Sequence, residues 1–73
     1  MYELIETTRG IPQTTRYPTL HEGIDALTRR ATAVARMPGT TILTQRPRRF
    51  VAAGRHGERV TLSLRRGPAS HTG

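Results

Sequence analysis

Apolar residues recur at two different periods along this chain, and the places where the period changes mark its elements. Leu20, Ile24, Leu27, Ala31 and Val34 follow one another at spacings of 4, 3, 4 and 3, the single stripe of an amphipathic helix. Thr19-Leu20-His21-Glu22 reads as the capping box that starts it: Thr19 accepts from the Glu22 amide, and the Glu22 carboxylate returns to the Thr19 amide. Glu22 and Asp25 fall near the positive end of the helix dipole and Arg29, Arg30 and Arg36 toward the negative end. Asp25 and Arg29 are also four apart in the favourable order. Pro38-Gly39 ends the helix, because proline biases the preceding residue away from helical angles and glycine permits the turn.

On either side of that helix the pattern has period two. Residues Tyr2 to Thr8 are β-branched and aromatic enough for a strand, although adjacent Leu4 and Ile5 blur which of them faces inward. Arg9-Gly10 is a turn signal. Ile11, Gln13, Thr15 and Tyr17 then alternate with Pro12, Thr14 and Arg16, and Pro12 places this second strand at an edge. Beyond the helix, Thr40 to Gln45 is extended, Arg46-Pro47-Arg48-Arg49 interrupts it, and Phe50 to Ala53 resumes it. Periodicity alone leaves Pro47 as either a turn between two strands or a bulge in one. Arg59 to Arg66 alternates Val60, Leu62 and Leu64 with Arg59, Thr61, Ser63 and Arg65, a strand with one apolar face.

The order strand, strand, helix, strand, strand, with a fifth strand if Pro47 is a turn, predicts an α+β fold. It is a small two-layer domain in which an antiparallel sheet of four or five strands carries one helix on one face. Tyr2, Leu4 or Ile5, Leu20, Ile24, Leu27, Val34, Ile42, Phe50, Val60, Leu62 and Leu64 form its expected core. The single domain is expected over residues 1–66. Residues 67–73 are rich in Gly, Pro, Ser and Thr with no apolar anchor and read as a flexible C-terminal tail.

Length limits that core. A chain of 73 residues buries only about 60% of the surface it exposes when unfolded, and Tyr2, Tyr17 and Phe50 are its only aromatics. Stability is therefore expected to be marginal, which homodimerisation would relieve. The absence of cysteine excludes disulfides and thiolate metal sites and fits a cytoplasmic protein. The N-terminus shows neither a basic n-region nor an apolar h-region, and the longest apolar run, Phe50 to Ala53, is far short of the roughly 20 residues of a membrane helix.

Charge changes the picture more than composition does. Up to Asp25 there are two arginines against four acids; from Ala26 onward there are ten arginines against Glu58 alone. Lysine and asparagine, whose codons are AT-rich, are both absent, which suggests a GC-rich genome such as that of an actinobacterium, its phage or a plasmid. Mutational bias therefore explains arginine in place of lysine, but not the number of positive charges. The helix arginines have local partners. Arg46, Arg48, Arg49, Arg55, Arg59, Arg65 and Arg66 do not, and seven positive charges within 21 residues are the composition of a polyanion-binding surface.

The chain is poor in catalytic chemistry. His21, His56 and His71 are widely separated and have no metal-ligand spacing, and Glu3 and Glu6 fall on opposite faces of a regular strand, so the sequence predicts no enzyme, metal or cofactor. Gly54-Arg55-His56-Gly57 has the form of the GXXG loop of KH domains, but there the loop joins helices and here it separates two extended segments, so a hairpin turn is the stronger reading. The leading expectation is a small non-enzymatic protein that contacts nucleic-acid phosphates through the seven arginines with weak sequence preference. The alternative is an interaction module or accessory factor whose basic ridge meets an acidic protein surface.

Overall fold

A computed structural model describes residues 1–67; the expected tail beyond Gly67 lies outside the described residues. The chain runs β1 (Tyr2–Thr8), β2 (Ile11–Tyr17), α1 (Leu20–Ala35), β3 (Thr41–Arg46), β4 (Arg49–Ala53) and β5 (Arg59–Arg66). The five strands form one antiparallel sheet in the order β2-β1-β5-β4-β3. This is the α+β two-layer domain expected, with five strands.

Each connection has a local cause. Arg9 (φ 54°) and Gly10 (φ 80°) both lie in the left-handed region, the two-residue turn whose twist matches a β-hairpin. Arg46 pairs directly with Arg49, so Pro47 and Arg48 form a tight turn and Pro47 is not a bulge. Gly54 to Glu58 is a hairpin loop closed by the Gly54 amide donating to the Glu58 carbonyl at 2.7 Å. That settles the Gly54-Arg55-His56-Gly57 stretch as a turn between strands.

Thr19 caps α1 as expected, its hydroxyl oxygen accepting from the Glu22 amide at 3.2 Å. The return contact differs. The Glu22 carboxylate accepts from the Thr19 hydroxyl at 3.0 Å and not from the Thr19 amide. The helix ends at Ala35, before Pro38-Gly39, with Arg36 as its C-cap. Arg30 is not held by the dipole alone. Its guanidinium makes a two-pronged contact with Glu6 of β1 at 2.9 and 2.8 Å, tying helix to sheet. Those hydrogen bonds hold the Arg30 proton more firmly than in a free guanidinium, against slight desolvation and with the help of the Glu6 charge.

The helix lies over β1, β5, β2 and β4 and does not extend over β3. Between the layers Leu4, Leu27, Ala31, Val34, Phe50, Ala52, Leu62 and Leu64 are buried, with Phe50 and Leu62 fully enclosed. Leu4 pairs with Leu64 on the helix side, so Leu4 is the core residue and Ile5 points the other way. Tyr2, Leu20, Ile24 and Val60 are half-buried around that cluster. Ile42 is a correction: it was expected in the core, but because the helix stops short of β3 it stays 44% exposed. Gly23 sets how closely the layers approach, since a Cβ there would sit 2.8 Å from Leu64 Cδ1.

Candidate functional site

The face of the sheet away from α1 has no second layer. Alternation and register assign its residues: Pro12, Thr14 and Arg16 from β2; Glu3, Ile5 and Thr7 from β1; Arg59, Thr61, Ser63 and Arg65 from β5; Arg49, Val51 and Ala53 from β4; and Thr41, Thr44 and Arg46 from β3. Apart from Glu3, Ile5, Pro12, Val51, Ala53 and Leu43, which the β3 register shift sets beside Thr44, this is a surface of hydroxyls and arginines. All three aromatics lie on the opposite, helix-facing side, where Tyr2 pairs with Tyr17 and Phe50 with Leu62.

The arginines are gathered toward one end. One row across the sheet is Arg16, Glu3 and Arg65, and the next step along it holds Ser63, Arg49 and Arg46. With strands about 4.8 Å apart, the five strands from Arg16 to Arg46 make a band roughly 19 Å wide. Arg48 is exposed at the same end in the Pro47 turn, its carbonyl accepting from the Leu64 amide at 2.8 Å. Of the seven arginines singled out by sequence, Arg46, Arg49 and Arg65 therefore share this end of the open face, with exposed Arg48 beside them in the turn. Arg66 is at the same end, but it alternates with Leu64 onto the helix side. Arg59 is on the open face at the other end, level with Ala53 and Thr41. Arg55 is away from the band in the β4–β5 loop, against Gly39.

One member of the cluster was missed. Arg16 is 30 residues from Arg46 in sequence and joins the band only through the strand order, which sets β2 and β1 beside β5. The signal was its place opposite Tyr17 and Thr15 in the β2 alternation, with the Arg9-Gly10 turn pairing β2 with β1; that β1 in turn pairs with β5 was not readable.

The acids are already engaged. Glu3 is 5% exposed, the one buried acid on this face, and its two carboxylate oxygens meet Arg65 Nε at 3.0 Å and Arg16 Nε at 3.4 Å. Both arginines give Glu3 their Nε and hold side chains that stay more than 60% exposed. Glu6 is taken by Arg30, Asp25 by Arg29, Glu22 by the helix cap, and Glu58 by the His56 amide at 3.1 Å. Among the described residues, Arg46, Arg48 and Arg49 have no acidic partner. The cluster of Arg16, Arg46, Arg48, Arg49 and Arg65 thus carries five positive charges against Glu3, a net of +4.

Arg46 and Arg49 are directly opposite one another on neighbouring strands. Like charges so placed destabilise a sheet. Nothing in the described chain relieves that repulsion, and an anion between the two guanidinium groups would.

A concavity of about 530 Å³ lies elsewhere, on the helix side between β2, the end of α1 and the β4–β5 loop. Ile11, Val34, Met37, Ala52 and Val60 make it mainly apolar, and its acids are Glu6, already bound to Arg30, and Glu58. Among the described residues no three of His, Cys, Asp and Glu converge, and no helix is long and apolar enough to cross a membrane. Comparison with protein-family models, curated proteins and solved structures finds no significant match to this chain.

Proposed function

We propose that the open face of the sheet binds the phosphate backbone of nucleic acid through Arg46, Arg48, Arg49 and Arg65, with Arg16 beside them. The observation that carries this reading is the uncompensated Arg46–Arg49 pair at the β3 edge of a net +4 band. Such a pair costs stability in the free protein and becomes favourable once a phosphate sits between the two charges. The width of the band supports it too: roughly 19 Å of sheet spans about five phosphates at about 3.4 Å of axis per phosphate on one strand.

The chemistry of the face defines the mode. Threonine and serine hydroxyls between the arginines can donate to phosphate oxygens, which positions a backbone without reading bases. No aromatic lies on the face, so bases have nothing to stack on, and binding favours backbone contact over the single-strand modes built on stacking platforms. The reading reduces the expected contacts from seven arginines to a core of four. Arg55, Arg59 and Arg66 are set apart from the band.

Anisotropy titration of a labelled DNA duplex at several salt concentrations tests it. Four phosphate contacts predict a slope of log K against log salt of about −3.6, and little difference between unrelated sequences. Absence of binding at low ionic strength would falsify the proposal and leave an acidic protein surface as the partner that suits the band.

A further inference from the structure

The two edges of the sheet differ. β2 carries Pro12, which has no amide to donate and blunts that edge. β3 has no proline, is exposed along most of its length and is not covered by α1. Ile42 and Leu43 on it are 44% and 50% exposed, and an open groove lined by Leu27, Ala31, Ala35 and Phe50 separates Ile42 from the helix.

The register of β3 contains a further constraint. Ile42 pairs with Ala52 and Thr44 with Val51, so Leu43 is an extra residue, and Leu43 and Thr44 together oppose Val51. The faces along β3 are then open for Thr41, helix for Ile42, open for Leu43 and Thr44, helix for Gln45 and open for Arg46. That sequence of faces reads the same in both directions. A bulge ordinarily keeps a sheet edge from pairing, but a second copy of this strand carries the same bulge at the same distance from the centre.

We infer that β3 pairs antiparallel with β3 of a second copy of this chain about a two-fold axis between Leu43 and Thr44. Thr41 then lies opposite Arg46 of the second copy, Ile42 opposite Gln45, and Leu43 opposite Thr44, each on its own face. The only charged residue of the strand meets a threonine, so no like charges face each other across the axis. The pairing makes one ten-stranded sheet with both helices on the same side, and Ile42 is covered beside the groove that α1 leaves open. It also completes the arginine band. Arg59, Ala53 and Thr41 form one row of the open face, and across the axis that row continues into Arg46 and Arg49 of the second copy. Arg59, isolated in a single chain, thereby joins the other copy's cluster. The pairing itself does not rest on nucleic-acid binding; only this role of Arg59 does.

The chain has no cysteine, so engineered thiols report the register directly. In the proposed dimer the variant carrying both Thr41→Cys and Arg46→Cys brings each new thiol opposite its counterpart. Within one chain the same two positions are five residues apart, about 17 Å along a strand, too far for a disulfide. Mild oxidation should convert the double variant to a covalent dimer, and each single variant should cross-link at least tenfold less. Sedimentation of the unaltered protein should show a concentration-dependent doubling of mass, and Leu43→Arg, at a half-exposed position, should be monomeric with an unchanged far-ultraviolet spectrum. A monomer at every concentration, or single variants that cross-link as well as the double, would overturn the inference. Loss of duplex binding with the dimer intact would refute only the nucleic-acid reading.

Discussion

The same five strands show two faces made of alternate residues, and the physics of the two is opposite. Toward α1, Leu4, Leu62, Leu64, Phe50 and Ala52 are almost fully removed from water. Burial of this kind stabilises at about 25 cal/mol per Å² of apolar surface and leaves little freedom of composition. The outer face needs no arginine in order to fold. Its Arg46–Arg49 pair works against the sheet, and its one buried acid, Glu3, is occupied in holding two more arginines. Most residues that folding requires lie on the helix side, and on the other face only Val51 and Glu3 are buried. The open face is therefore where function is to be sought.

The largest expected effect breaks the covered side. Leu62 is fully buried at the centre of β5, so Leu62→Ala should destabilise the domain by about 3 kcal/mol through lost transfer energy and an unfilled cavity. Its neighbour Ser63 points to the open face, where Ser63→Ala should change stability by less than about 0.5 kcal/mol. Urea denaturation of the two variants measures the contrast. Equal losses would mean that the open face is itself packed against something.

The next effect breaks the open side and spares the fold. Arg46→Gln combined with Arg49→Gln removes two phosphate contacts, so the salt slope should become shallower by about 1.8 and the affinity should fall about thirtyfold. Stability should rise by a few tenths of a kcal/mol as the cross-strand repulsion disappears. A double variant that binds as the parent does would remove the pair from the interface.

How much of this was legible follows from which forces are local. The α1 stripe, the Thr19 cap and the β5 alternation are set by residues within a few positions of each other, and the structure has them almost as the pattern reads. Ile42 was misassigned because an isoleucine in a β-branched run looks like core, whereas its exposure depends on where a helix ends in another layer. The extra residue at Leu43 shifts the alternation within β3 and has no signature in composition. The arginines of β3–β5 were visible as a run, but their division between two faces and two ends needed the register. Arg16 and Glu3 entered the site only through the order β2-β1-β5, which pairs residues about 60 positions apart.

Glu3 offers the finest test of the comparison, because it serves the fold while standing on the functional face. In Glu3→Gln the side chain keeps one acceptor oxygen but turns an amide NH₂ toward the second arginine, donor against donor. Arg16 and Arg65 are largely exposed and regain water, so the loss of stability should be about 1 kcal/mol and not the larger penalty of a stranded buried charge. Binding should move the other way. The band rises from +4 to +5, and affinity for a duplex should increase a few-fold at low salt, with a steeper salt slope. The two measurements, urea denaturation and anisotropy on the same variant, therefore have opposite expected signs. If Glu3→Gln weakens binding as well as folding, then Glu3 acts by aiming the two guanidinium groups at the backbone, and the line between residues for folding and residues for binding does not run between the two faces but through this carboxylate.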